Sequence, residues 1–409
     1  MTEKVAGTKG VGSVKDTKGK KLRVALVHDY IKELGGAERV ILTLAEMFPA
    51  APIYTAFLVP GSAFARKLAG RKIVTSWADR LLRRGNMHSP LRFLIPTIWE
   101  SFNFRGFDLV ISSASGYSSE GIVTRPETLH ICYCHTPPRW LYGFPQSVGF
   151  QKYWPVRAYG AIVGHFMRMY DFMAAQRVDF FVANSENVGR RIAKFYKRDS
   201  VVIYPPVEVS EIGRMTKDLK PENFYLIVSR IVGAKGFDLA VEAANRLKVP
   251  LKIIGEAVGF SQEKKRLEKE SGGTVELLGR LPDEEMWNYL GRCKAFLALA
   301  TDEDFGVTPV EAMAAGRPVI AYAGGGYLET VIEGKTGTFF REPKVASLIE
   351  AMARLERLAI KPDDCRRQAE RFTRERFVRR MEELIGVKWG EYVGGRDAEG
   401  PKRGVKKLQ

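Results

Sequence analysis

The chain has 409 residues, 45 % of them hydrophobic, and a formal net charge of +17. That length exceeds one ordinary core and suits two domains of about 200 residues each. The charge admits three kinds of partner: nucleic acid, an anionic membrane surface, or phosphate-bearing substrates. No nucleic-acid reader module stands in the sequence, and no apolar stretch reaches transmembrane length. Cys132, Cys134, Cys293 and Cys365 form neither a disulfide framework nor a metal-ligand spacing; they fit a reducing compartment.

Residues 1–21 read as a disordered basic leader without the apolar core of a signal peptide. KLRVALVHDY then predicts a buried strand, Leu22 to Val27, followed by the turn KELGGAERV and a helix through Val40, Leu44 and Met47. Further apolar runs follow as strands: PIYTAF, KIVTSW, DLVISSA, LHICYC and DFFVANS. The strand VVIYPPVEV meets two prolines, and the polar stretch EIGRMTKDLKPEN, with no clear core, marks the junction, so the first domain spans 22–207.

The second domain, 208–385, repeats the pattern with FYLIVSR, LKIIGEA, VELLGR, KAFLALA, RPVIAYA and GTFF. Its helices are predicted over Phe237–Leu247, Asp283–Arg292 and Val310–Ala315. Long charged helices close the chain, one of which can cross back to the first domain, and 386–409 reads as a basic tail. The fold class is α/β: two doubly wound domains facing across a cleft, with ligands at the carboxyl ends of the strands.

The segment ATDEDFGVTPVEAMAAGRPVIAYAGGGYLETV carries the most chemistry. Glu303 follows a strand and Glu311 lies in the first turns of the next helix, with Phe305 and Gly306 allowing a tight turn between them. Two acids so placed can grip different hydroxyls of an extended ligand, and the helix amino end favours an anion; two solvated acids at a helix start are the plain alternative. Arg230 and Lys235, in SRIVGAKGFDLAVEA, can hold a diphosphate by a guanidinium fork and a point charge. Gly325 and Gly326 end another strand and allow close backbone approach, or simply a flexible turn. Gly35 and Gly36 follow the first strand outside any GxGxxG or Walker pattern. His135, in YCHTPPRWLYG, could hydrogen-bond a sugar hydroxyl or serve as a core or capping residue. Between Arg66 and Arg92 the sequence is rich in arginine and lysine, and LRFLIPTIWESFNF follows. A basic, aromatic surface of that kind can rest on anionic lipid, or be a solvated face beside core aromatics.

Together these segments resemble the retaining glycosyltransferases of family four, with the GT-B architecture of two Rossmann-like domains, over roughly 22–385. The strongest elements are EDFGVTPVE, matching E-x7-E at Glu303 and Glu311, and R-x4-K at Arg230 and Lys235; GGAE, CHTPPRWLY, ANS and YPPV are also similar. Ser229 departs from the glycine many relatives carry before the arginine.

The resemblance implies that Arg230 and Lys235 neutralise the donor diphosphate, Glu311 binds the nucleotide ribose and Glu303 the sugar hydroxyls. It implies that His135 reaches the transferred sugar, with Gly35, Gly36 and the backbone near Gly325 and Gly326 seating phosphate and sugar. No metal or other cofactor is expected. The HTPPRWLY version is similar to bacterial surface-polysaccharide mannosyltransferases, so the expected donor is GDP-mannose, with UDP-sugars as the alternative. The expected acceptor is a glycan or a polyprenyl-diphosphate-linked sugar, used in the cytoplasm or peripherally at the inner membrane face. An epimerase of like architecture, or a nucleic-acid-binding scaffold, would be a different reading of the same chain.

Overall fold

The computed structural model describes residues 21–84, 87–144, 154–256 and 263–398; all but the last residue of the expected leader, and positions 399–409, lie outside them. The first sheet is built from β1 (Val24–His28), β2 (Ile53–Thr55), β3 (Ile73–Thr75), β4 (Leu109–Ala114), β5 (Leu129–Cys134), β6 (Phe180–Ala183) and β7 (Ser200–Val202). The second holds β8 (Tyr225–Val228), β9 (Leu251–Ile254), β10 (Val275–Gly279), β11 (Ala295–Ala298), β12 (Val319–Tyr322) and β13 (Gly337–Phe340). Strand orders are β3-β2-β1-β4-β5-β6-β7 and β10-β9-β8-β11-β12-β13, with neighbours such as β1 and β4, or β8 and β11, parallel.

Both sheets are covered on both faces, which explains why their strands read as unbroken apolar runs. In β1, Val24 and Leu26 enter one core and Ala25 and Val27 the other, as the strand's two-residue period requires. In β8, Leu226 faces one core while Tyr225 and Ile227 face the opposite one. Each sheet reverses its winding once, between β1 and β4 and between β8 and β11. Those two switch points, at the carboxyl ends, are where such sheets open a ligand crevice.

Three expectations change. The stretch read as coreless opens inside a helix, Val209–Thr216, which buries Val209 and Ile212 against the second domain's core. The helix predicted from Val310 starts at Val307, because Gly306 (φ +90°) supplies the left-handed turn that launches it. The tail placed from residue 386 is instead the continuation of a helix, Arg374–Ala398. Phe377, Met381 and Ile385 of that helix are buried in the first domain's core, with Trp389 and Tyr392 packed beside them. Its glycines and charges hid an apolar face spaced at helical intervals. The helix therefore belongs in space to the first domain, and the chain crosses between domains twice. The crossings run side by side: the Val207 amide donates to the Phe372 carbonyl at 3.1 Å and the Arg374 amide to the Val207 carbonyl at 3.2 Å.

Candidate active site

The second-domain half forms around the β8–β11 switch point. Lys235 ends a short 3-10 turn (Gly233–Lys235) after β8, and its Nζ lies 2.5 Å from Glu303 Oε2 in the loop after β11. The Tyr327 hydroxyl donates to the same oxygen at 3.3 Å. Burial by itself pushes the Glu303 carboxyl up, but the Lys235 ammonium outweighs it and holds the group below its ordinary value. Gly306 has no tolerance for a side chain, since a Cβ there would come within 2.8 Å of the Tyr327 ring. Gly325 (φ +57°) is likewise pressed on the Glu303 loop, a Cβ meeting the Glu303 carbonyl oxygen at 2.4 Å, and Gly326 lies against the Phe305 backbone. These glycines let two loops close on each other. Phe305 contributes backbone only: its ring is buried, 5.5 Å from Tyr204 and 5.4 Å from Phe372.

The first-domain half is a chain of polar groups at the β1–β4 switch point, with His28, Ser113 and His135 buried and Glu38 half-buried. His135 follows β5, and its Nε2 lies 2.8 Å from Ser113 Oγ. Ser113 Oγ is 3.2 Å from His28 Nδ1, and His28 Nε2 is 4.0 Å from Glu38 Oε1. Burial drives His135 down to about 3 and His28 down to about 4, so both rings are neutral at pH 7. Burial also lifts Glu38 to about 7, the loss of water outweighing its backbone hydrogen bonds and the charge of Arg230. Asp29 beside them accepts from the Ser115, Tyr117 and Ser119 amides at 3.1, 3.0 and 3.2 Å, fixing the loop after β4. Gly35 caps the helix Gly36–Met47, and Gly36 faces the second domain: a Cβ there would lie 3.5 Å from Val307.

The two halves are held together by ion pairs that cross the cleft. Arg39 Nη1 lies 2.7 Å from Glu311 Oε1, a buried carboxyl that burial raises and Arg39 partly restores. Arg139 lies 2.8 Å and Arg191 2.6 Å from Asp304, and Arg191 also pairs with Asp302. Glu329 accepts the Glu186 and Asn187 amides at 2.7 and 2.8 Å, capping a first-domain helix from the opposite domain. Arg230, two-thirds exposed, points across to Glu33 at 3.8 Å. Within the second domain a cavity of about 40 Å³ is lined by Ser229, Lys235, Glu303, Gly306, Thr308 and Tyr327, far below the ~300 Å³ that ligand sites begin at. A larger cavity, about 290 Å³ and lined by Thr128, Asp179 and Tyr392 among others, lies at the amino ends of β5 and β6, away from both switch points. The ion pairs across the cleft hold the two domains against each other in this structure.

The geometry brings Lys235, Glu303 and the Gly325–Gly326 turn together. It does not bring Arg230 onto the same point as Lys235, and it gives Glu311 a partner from the other domain. Sequence reading missed the clasp of Arg39, Arg139, Arg191, Asp302, Asp304 and Glu329, because its members pair across domains that only the fold juxtaposes. It also missed the Glu38–His28–Ser113–His135 chain, although each member stands within a segment already singled out or one step beyond a strand. Among the described residues no group of three or more His, Cys, Asp or Glu could hold a metal ion.

Two families match consecutive stretches of the chain: Glycosyltransferase Family 4 over residues 34–211 and Glycosyl transferases group 1 over 212–372. The chain is a nucleotide-sugar-dependent glycosyltransferase of GT-B architecture, related to both groups. Human alpha-1,3/1,6-mannosyltransferase ALG2 is 28 % identical over 79 % of this chain and 85 % of its own length. An uncharacterized glycosyltransferase of Methanocaldococcus jannaschii is 30 % identical over 40 % of this chain, a match spanning 46 % of that protein. Among solved structures, Anabaena Alr3699/HepE in complex with UDP and glucose superposes with a TM-score of 0.65 at 17 % identity, covering 89 % of this chain and 99 % of that one.

Proposed function

We propose that the chain transfers a hexose, with retention at the anomeric carbon, from a nucleoside-diphosphate sugar to a glycan or polyprenyl-diphosphate-linked acceptor. The observation that carries this reading is the Lys235–Glu303 pair at the second switch point, 2.5 Å apart at the carboxyl ends of β8 and β11. Lys235, helped by Arg230 as the domains rearrange, stabilises charge on the departing diphosphate, while Glu303 accepts from donor sugar hydroxyls. Glu311 takes the ribose once Arg39 yields it. His135, neutral and fixed by Ser113, hydrogen-bonds the transferred sugar. The acceptor hydroxyl attacks from the face the diphosphate leaves, and that phosphate takes its proton; no metal is required where lysine and arginine already supply the positive charge.

For the donor, a uridine diphosphate hexose is the first reading, supported by Anabaena Alr3699/HepE, whose structures hold UDP, glucose and UDP-glucose. GDP-mannose is the second, supported by the mannosyltransferase names of human ALG2 and of the Rhizobium leguminosarum lipopolysaccharide core enzyme LpcC, 26 % identical over 44 % of this chain and 54 % of its own length. Titration calorimetry with UDP-glucose, UDP, GDP-mannose and GDP, each in EDTA and again with added magnesium, decides between them. Binding of one series, modestly weakened by Lys235→Ala, is the expected result; binding of neither series under either condition overturns both donors, and binding that needs a divalent ion overturns the metal-free mechanism.

A further inference from the structure

The Arg66–Arg92 stretch with LRFLIPTIWESFNF could have been a lipid-facing surface or a solvated face beside core aromatics; Ile95, Ile98, Trp99 and Phe104 of that run are buried in the first domain's core, as the second alternative has it. The exposed apolar surface lies elsewhere, on the helix Trp154–Gln176. Gly164, Met167, Asp171, Ala174 and Ala175 form its buried side. Its other side shows Trp154, Tyr159, Ile162, Phe166, Met169 and Met173, with Trp154 77 % and Phe166 64 % exposed. At 3.6 residues per turn these six fall within an arc of about 140°, and that arc contains no Asp, Glu, Lys or Arg. From Trp154 to Ile162 every residue is exposed, so this end of the helix stands off the body.

The neighbouring surface is of the same kind. The Tyr159 hydroxyl donates to the Pro90 carbonyl, joining the helix to the segment that carries exposed Phe93, and exposed Trp77 donates to the Thr97 carbonyl at 3.5 Å. Arg80, Arg83 and Arg84 on that side, and Arg157 and Arg168 beside the stripe, are exposed; Arg83 pairs with Asp79 at 3.7 Å and Arg168 donates to the Leu141 carbonyl at 3.3 Å. A contiguous apolar face with cationic flanks is not what a solvated surface needs; faces of this size mark interaction sites.

We propose that this helix face docks on an anionic phospholipid surface, its apolar side chains entering the interface and the flanking arginines meeting lipid phosphates. A second copy of the chain is the weaker occupant, since pairing two such faces would bring their arginine clusters together in molecules that each carry +17. Topology gives the docking a purpose. The helix belongs to the crossover from β5 to β6, so it runs back from the carboxyl ends of the strands, and its protruding start lies at the same end of the sheet as His135. Docking there brings the cleft to a membrane-borne acceptor; this deepens the lipid-linked acceptor reading and rests on it.

The test uses the whole chain with vesicles of phosphatidylcholine alone and of phosphatidylcholine mixed with phosphatidylglycerol. Wild type is expected to sediment with the mixed vesicles at low salt. The variant Ile162→Ser/Phe166→Ser/Met169→Ser is expected to lose at least about tenfold in partitioning while binding nucleotide as wild type does, which shows it folded. Arg80→Gln/Arg83→Gln/Arg84→Gln should weaken binding to the mixed vesicles and flatten its salt dependence. Failure of wild type to bind the mixed vesicles, or undiminished binding by the serine variant, overturns the proposal. So does a wild-type dimer in sedimentation equilibrium that the serine variant abolishes. Nucleotide titration of the same samples separates the two readings: donor binding without vesicle binding removes the docking alone, and vesicle binding without donor binding removes the transferase reading alone.

Discussion

The two halves of the cleft handle charge in opposite ways. In the second domain the central acid, Glu303, is matched by Lys235 and held ionised. In the first domain Glu38, His28 and His135 sit at the equivalent switch point with no cation in contact, and burial favours the neutral form of each. The contrast suits the two ends of one reaction. A departing diphosphate needs fixed positive charge, whereas the groups around sugar and acceptor serve better as neutral donors and acceptors that do not compete for the diphosphate.

The largest effect should come from breaking the charged half. Lys235→Ala removes the cation from the leaving group and strands Glu303, so kcat/KM should fall by about 10²–10³, with kcat taking most of the loss. Lys235→Arg should recover part of it. A Lys235→Ala enzyme with near-normal kcat would mean that the diphosphate is stabilised elsewhere, Arg230 being the next candidate.

Breaking the neutral half should appear first in stability against pH. Glu38 is raised to about 7 in the fold, so above the ordinary carboxylate value the unfolded chain gives up its proton while the folded one keeps it. Its contribution is therefore fully present below about 4.5 and is lost as pH rises to about 7. His28 and His135, lowered to about 4 and 3, act the other way, losing stability as pH falls below about 6.5. Glu38→Gln removes only the first component. Its melting profile should match wild type near pH 4.5 and exceed it at pH 7.5 by about 1–3 kcal/mol. A constant offset across that range would show that Glu38 is ionised in the fold and that the two halves do not differ as described.

The fold was legible because both sheets are covered on both faces, so all thirteen strands announce themselves as apolar runs. Lys235 and Glu303 were legible too, as short motifs beside their strands. What stayed hidden depends on the partner a residue finds. The closing helix that could cross back to the first domain does so through Phe377, Met381 and Ile385, but its continuation to Ala398 looked like a tail because Trp389 and Tyr392 pack against a domain far earlier in the chain. Phe305, taken for a site residue by its place in the motif, is a core residue because Tyr204 and Phe372 stand opposite it. The exposed stripe of Trp154–Gln176 was not singled out in the sequence, since apolar content alone does not say which face finds a partner.

Arg39 couples the two halves, and its removal should have the smallest effect on turnover but an instructive one on shape. Its guanidinium lies 2.7 Å from Glu311 and 3.6 Å from Asp283, both in the other domain. The same Glu311 carboxyl is the one proposed for the ribose, so donor and Arg39 compete for it. Arg39→Ala leaves a buried carboxyl without its cation, and the domains relieve that by opening to water. Small-angle scattering of the donor-free protein should then show a larger radius of gyration than wild type, which Arg39→Lys restores. Nucleotide affinity should change by less than about tenfold, in the direction of tighter binding, because an interdomain contact worth about 1 kcal/mol no longer has to be displaced. Unchanged scattering together with affinity lower by two orders of magnitude would give Arg39 a different role, as a ligand of the donor and not as the clasp that the donor must undo.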